Sequence, residues 1–180
     1  MTRSHALPNR LAGFTIIELM IAVVVLAILL TVAIPSLQDI LKRNQVIGQT
    51  NEVVALIHLA RNEAIRRNPT GSKTVLVEFI SDPGSATWEG AVYPPGADDT
   101  EADCPDGAIR CASHERVRFT SNDGLEVRFD NRGYSVTGDG ALKDDLRLIL
   151  RHRDCESDRH AREVVIRPTG QVTASPIGCS

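Results

Sequence analysis

Glu18 is the one carboxylate in a run of 21 residues, Phe14–Ile34, whose other polar members are Thr15 and Thr31. A charged side chain costs about 2.5–3.5 kcal/mol at the centre of a membrane-spanning helix, so a partner for Glu18 is expected. The four cysteines, Cys104, Cys111, Cys155 and Cys179, all fall in the C-terminal half of the chain. Four cysteines allow three connectivities. We favour Cys104–Cys111 and Cys155–Cys179, because each closes a nearby loop and disulfides persist outside the cytoplasm. The second would contribute about 3 kcal/mol through loop entropy. A rival chemistry for Cys155 is metal binding, since His152, Asp154, Asp158 and His160 crowd around it within nine residues. Thiolate and imidazole suit zinc, but this spacing matches no established ligand pattern, and an oxidising compartment competes for the thiol. A solvated polar loop with no metal and no cofactor is the expectation. His58 and His114 are expected at the surface.

Signatures of catalysis are missing. Gly71-Ser72-Lys73-Thr74 resembles the end of a phosphate-binding loop, but an extra Ser separates Gly from Lys and the first glycine is absent. There is no G-x-S-x-G nucleophile turn. Asp144 and Asp145 are adjacent at a strand start, so their carboxylates diverge. Asp98, Asp99 and Asp103 lack a calcium-loop pattern. The chain therefore reads as a non-enzyme. Its net charge of −3 argues against a nucleic-acid binder held by bulk charge. The charge is also segregated, with +3 over residues 1–67, −7 over 68–109 and +1 over 110–180. The acidic middle reads as a solvated loop region.

The elements that would carry these residues follow from periodicity. An apolar helix needs about 20 residues to cross a bilayer, and Phe14–Ile34 has that length. The preceding Met1–Gly13 carries Arg3 and Arg10 and no acid, which favours a cytoplasmic N-terminus. A secretory signal would have a shorter apolar core and a small-residue cleavage site; this run is longer and leads into an amphipathic helix. Pro35 follows, removing one backbone donor and favouring a kink. Val46, Val53, Ile57, Ala60 and Ala64 then form a helical stripe, with Glu52, His58, Arg61 and Arg66 free to lie off it in solvent. Asn68-Pro69-Thr70-Gly71 stops the helix. The remainder reads as strands at 73–80, 87–93, 115–120, 125–130, 146–151, 163–167 and 171–174, divided by glycine turns. An antiparallel sheet, split in two and packed on the amphipathic half-helix, is the predicted α+β fold.

Gly13-Phe14-Thr15-Ile16-Ile17-Glu18-Leu19-Met20, followed by the apolar run and Pro35, resembles the class III leader of type IV prepilins and type II secretion pseudopilins. The resemblance implies that a prepilin peptidase cuts between Gly13 and Phe14 and methylates the new Phe14 amine. It also implies that Glu18 is the assembly carboxylate. In a filament of staggered subunits, one subunit's amine would neutralise the next one's Glu18, and a buried ion pair of that kind sets register as much as it adds stability. Ala60-Arg61-Asn62-Glu63-Ala64-Ile65 and the later turns, with Thr169-Gly170-Gln171 before the last strand, resemble the H-type branch, often called GspH/FimT. Residues 83–113 read as an insertion unmatched in that pattern.

The implied organisation is a cleaved leader (1–13), a transmembrane and assembly helix (14–34), an amphipathic helix (35–67) and a β-rich periplasmic head (68–180). The resemblance further implies a single-pass inner-membrane protein that leaves membrane lipid for a pilus or pseudopilus. Its partners would be other pilins, the prepilin peptidase and an inner-membrane assembly platform, with assembly power from a separate cytoplasmic motor. Two functions compete: a minor subunit that initiates or caps a filament, and a DNA-capturing tip pilin. DNA-binding members carry a C-terminal Gly-Arg-x-Arg element, whereas this chain has Gly170-Gln171-Val172-Thr173. Phosphate affinity rests on such cations, so the structural reading is favoured. Arg147, Arg151, Arg153, Arg159, Arg162 and Arg167 are the remaining candidates for a basic patch.

Overall fold

The computed structural model describes residues 14–69, 73–82, 84, 86–96, 107–121 and 124–179. Among the described residues one helix, α1, runs Ile16–Arg67, and nine strands follow it. The chain divides into two compact units, one ending at Asp39 and one starting at Ile40.

In the first unit the helix begins at an N-cap. Thr15 Oγ1 accepts the amide of Glu18 at 3.3 Å, and the Thr15 carbonyl accepts the amide of Leu19 at 3.2 Å. A side-chain acceptor at this position satisfies one of the first-turn donors that a helix leaves orphaned. The apolar side chains from Ile16 to Ile34 are exposed, and this is a helix long and apolar enough to cross a membrane. Helical structure continues through Pro35. The ring deprives the Thr31 carbonyl of its usual donor, while the Thr31 hydroxyl donates back to the Ile28 carbonyl at 2.7 Å.

In the second unit, α1 buries Val46, Gln49, Thr50, Val53, Leu56, Ile57, Ala60 and Ala64. The stripe predicted from spacing is therefore the buried face, widened by Gln49, Thr50 and Leu56. Asn68 ends the helix in the left-handed region at φ 45°, with its amide on the Ala64 carbonyl, and Pro69 prevents continuation. One antiparallel sheet has the order β3-β2-β1-β5-β6, built from β1 (Val75–Asp82), β2 (Thr87–Tyr93), β3 (Arg110–Glu115), β5 (Glu126–Phe129) and β6 (Ser135–Val136). The other, β4-β7-β8-β9, comprises β4 (Val117–Ser121), β7 (Leu146–His152), β8 (Ala161–Ile166) and β9 (Val172–Pro176). Phe79, Trp88, Phe119, Phe129, Leu146, Leu148 and Leu150 meet the helix stripe in one core. Gly90 is where helix and sheet approach closely: a Cβ there would sit 2.9 Å from Leu56 Cδ1 and from the Phe79 ring.

The α+β fold, a long helix and an antiparallel two-sheet head, agrees with the sequence expectation. Three details differ. The expected strand 115–120 is two strands, because the chain switches sheets at Arg116. The acidic stretch 68–109, expected as a loop region, carries β1 and β2, and Arg110–Glu115, at the end of the expected insertion, is a strand paired with β2. The short β6 went unpredicted, since a two-residue strand has no periodicity to read.

Candidate functional site

The residues expected from the sequence to act in assembly lie at the start of α1. Phe14 and Thr15 lie ahead of the helix, and Glu18 is the acidic residue of its first turn. A carboxylate there is favoured by the positive end of the helix dipole. Residues 1–13, including Gly13, lie outside the described residues.

In the head, Arg61 is not a solvent residue. Its Nε donates to the Gly133 carbonyl at 3.1 Å and its Nη2 reaches the Thr169 carbonyl at 3.4 Å. One guanidinium thus ties α1 to the turn before β6 and to the turn between β8 and β9, one in each sheet. Those turns touch so closely that a Cβ on Gly170 would run into the Gly133 carbonyl. Gly133 and Gly170 also hold φ of 79° and 74°, where a side chain is strained. Glu63, two residues along, binds Arg66 and Arg67 at 2.6 Å each, and these two cations hold its carboxyl below the usual range.

The β7–β8 loop is the second polar centre. Cys155 and Cys179 are joined, with Cα atoms 5.7 Å apart, which ties the chain's last residues to this loop. Cys111 is also disulfide-bonded, and Cys104, its partner in the sequence reading, lies outside the described residues. The histidines are not solvated: His152 is 5% and His160 1% exposed. His152 Nδ1 accepts the Asp154 amide at 3.0 Å, and its Nε2 contacts Gln45 Oε1 at 3.0 Å. This pairing requires the neutral Nε2–H tautomer, and burial pushes the His152 pKa down. His160 Nδ1 accepts the Glu156 amide at 3.4 Å. With Cys155 locked in a disulfide and His152 engaged at Nδ1 by the Asp154 amide and at Nε2 by Gln45, these side chains are not arranged as zinc ligands. Among the described residues no group of three His, Cys, Asp or Glu is placed to hold a metal. Lys42 reaches Glu156 at 2.9 Å, adding a second tie between this loop and α1.

Sequence reasoning missed Gln49, which links three elements. It accepts Trp88 Nε1–H at 2.7 Å and donates to the Glu115 carbonyl at 2.8 Å. Its stripe position, three residues after Val46, was the available signal. His114, expected at the surface, is half-buried with its ring 5.2 Å from Trp88. The six arginines considered for a basic patch are not gathered. Arg147 pairs with Glu163 at 3.1 Å, Arg153 with Asp154 at 3.4 Å, and Arg167 reaches Gln171. Arg162 stands opposite Leu150, on the other face from Arg151.

The prokaryotic N-terminal methylation motif matches residues 8–34, and the family model for the type II transport protein GspH matches residues 49–170. The chain belongs to the GspH family. GspH-type chains are structural subunits, minor pilins or pseudopilins of type IV pili or type II secretion, and not enzymes. Two crystal structures of the type IV minor pilin FimU from Pseudomonas aeruginosa share the fold. One is 14% identical with a TM-score of 0.51, covering 74% of this chain and 90% of that one. The other is 13% identical with a TM-score of 0.50, covering 70% and 89%. No curated protein sequence matches the chain. The GspH match starts at Gln49 and ends at Gly170, so it includes Arg61, Gly133 and Gly170, the residues of the clamp.

Proposed function

We propose that this GspH-family subunit initiates or caps a type IV pilus or type II secretion pseudopilus. It enters the inner membrane by residues 14–34, with 1–13 as cytoplasmic leader and the head, 68–180, in the periplasm at the end of the 35–67 helix. Prepilin peptidase cuts after Gly13 and methylates the Phe14 amine. An assembly platform then lifts the processed subunit from the lipid into a filament of other pilins, and Pro35 is the point at which the helix bends to fit. The observation that carries this reading is Glu18, a carboxylate in the first turn of an otherwise apolar helix, four residues from Phe14. Left in hydrocarbon it costs about 2.5–3.5 kcal/mol by insertion scales. The Phe14 amine of a staggered neighbour offsets that cost only in the filament.

The test is Glu18→Leu in a deletion strain. An apolar substitute favours the bilayer, so the variant inserts and matures normally, and mass spectrometry finds a chain starting at N-methyl-Phe14. It then fails to restore surface pili or secretion. Gly13→Ala leaves the full-length chain. A wild-type chain retaining Met1 in cells with active peptidase would overturn the processing reading. Normal assembly by processed Glu18→Leu would overturn the role of the carboxylate.

A further inference from the structure

The loop between β7 and β8, residues 153–160, has its backbone held by two imidazole rings. His152 Nδ1 accepts the Asp154 amide at 3.0 Å, and His160 Nδ1 accepts the Glu156 amide at 3.4 Å. Both rings are buried, with centroids 6.4 Å apart. The loop has two other ties, the Cys155–Cys179 disulfide and the ion pair from Lys42 to Glu156. An imidazole nitrogen accepts a hydrogen bond only while it carries no proton, and a protonated one donates. A second proton on His152 therefore sets an N–H against the Asp154 N–H at hydrogen-bond distance. The other ring nitrogen meets no such conflict, because Nε2–H donates to Gln45 Oε1 in either state. The ring stays on α1, and the loop is the part that must move.

The groups around His152 set how that step is poised. Lys42 of α1 and His160, just before β8, oppose a further charge in the same buried place. From β4 comes Val117, which stands opposite His152 and carries no charge. Asp154, on the loop itself, favours the imidazolium. Its carboxylate is exposed, 3.4 Å from Arg153, and it is the acceptor at hand for a new Nδ1–H once the Asp154 amide has left. Burial outweighs this attraction and pushes the His152 pKa below 6.5. Two features keep the movement local. The β7–β8 ladder, from Leu146 opposite Ile166 to Arg151 opposite Ala161, uses none of the loop. The disulfide to Cys179 holds the loop to the chain's last residues and limits how far it travels.

We propose that His152 is a proton-operated latch: a second proton on its ring opens the loop 153–160 beside α1 and leaves both sheets paired. This goes beyond the filament-subunit reading and is tested without assembly, so either can fail alone. The test is amide hydrogen exchange of the full-length protein in detergent, resolved to single residues and corrected for the intrinsic effect of pH on exchange. From pH 7.5 to pH 5 the protection of the Asp154 and Glu156 amides should fall about fivefold, the equivalent of one net hydrogen bond. The amides of residues 53–64 in α1 should stay protected. His152→Asn supplies an acceptor for the Asp154 amide that takes no proton, so the fall should vanish. Asp154→Asn keeps the amide and removes the carboxylate that favours the imidazolium, so the midpoint of the fall should move down by about 0.5 pH unit. Because that carboxylate is exposed, Asp154→Asn still folds, and its midpoint decides the matter if His152→Asn does not fold. Loop protection that ignores pH overturns the latch, as does a fall that persists in His152→Asn or a midpoint unmoved by Asp154→Asn. Residues 53–64 losing protection to the level of the loop would mean that the head unfolds as a whole, and this also overturns it.

Discussion

Replacing Arg61 with methionine keeps the aliphatic stem over Gly133 and removes both hydrogen bonds of the guanidinium. The bond to the Gly133 carbonyl, at 3.1 Å and partly buried, is of the charged kind that contributes about 1.5–3 kcal/mol. The contact to Thr169, at 3.4 Å and exposed, adds well under about 1 kcal/mol. A loss of roughly 2–3 kcal/mol is expected, which for a domain of this size lowers Tm by about 5–10 °C. The chain has one tryptophan, and Trp88 is fully buried in the head core, so its fluorescence reports unfolding of the head in the full-length protein in detergent. Urea titration of wild type and Arg61→Met gives the difference directly. Gly170→Ala should cost more, because its Cβ meets both the Gly133 carbonyl and Arg61 Nε, at a φ of 74°. The double variant should fall short of the sum, since both changes act on one clamp. A midpoint for Arg61→Met equivalent to less than about 0.5 kcal/mol, within the range of ordinary surface changes, would refute the clamp.

His152 is held neutral by burial, with its pKa below the ordinary 6.5. Its contribution to stability is therefore complete above pH 6.5 and is lost as pH falls from there toward the folded pKa; Trp88 unfolding midpoints between pH 7.5 and 5 should show the decline, and His152→Gln should flatten it. Glu78 has the opposite sign: burial and the neighbouring Glu126 raise its pKa, so stability is complete below about pH 4.5 and lost as pH rises through the folded value. Glu78→Gln should accordingly raise the urea midpoint at pH 7 and leave it unchanged at pH 4. Cys155→Ser opens the loop of 24 residues closed to Cys179 and should cost about 3 kcal/mol, read as a lower midpoint than wild type under non-reducing conditions.

The sequence by itself determined the parts governed by local rules. The apolar run, its lone Glu18 and the glycine–aromatic junction at Gly13-Phe14 are contiguous, and contiguous patterns need no partner to be read. The helix stripe from Val46 to Ala64 follows a period of 3.6 that the core then used. Strands β4, β5 and β7 were legible from the alternation of Val117 and Phe119, Val127 and Phe129, and Leu146, Leu148 and Leu150, because one face of each is buried and the other is not. Tertiary structure decided what depends on distant residues meeting. Arg61 looks solvent-bound on a helical wheel, and only the turns at Gly133 and Thr169, 72 and 108 residues away, make it a clamp. His152 and His160 look like a polar loop, and the packing of Gln45 and the closure by Cys179 bury them. The sheet switch at Arg116 carries no periodic signal, since one residue in a left-handed conformation leaves the alternation around it intact. Local composition fixes which side chains want burial; which buried polar groups find partners is settled when strands far apart in the chain are brought edge to edge.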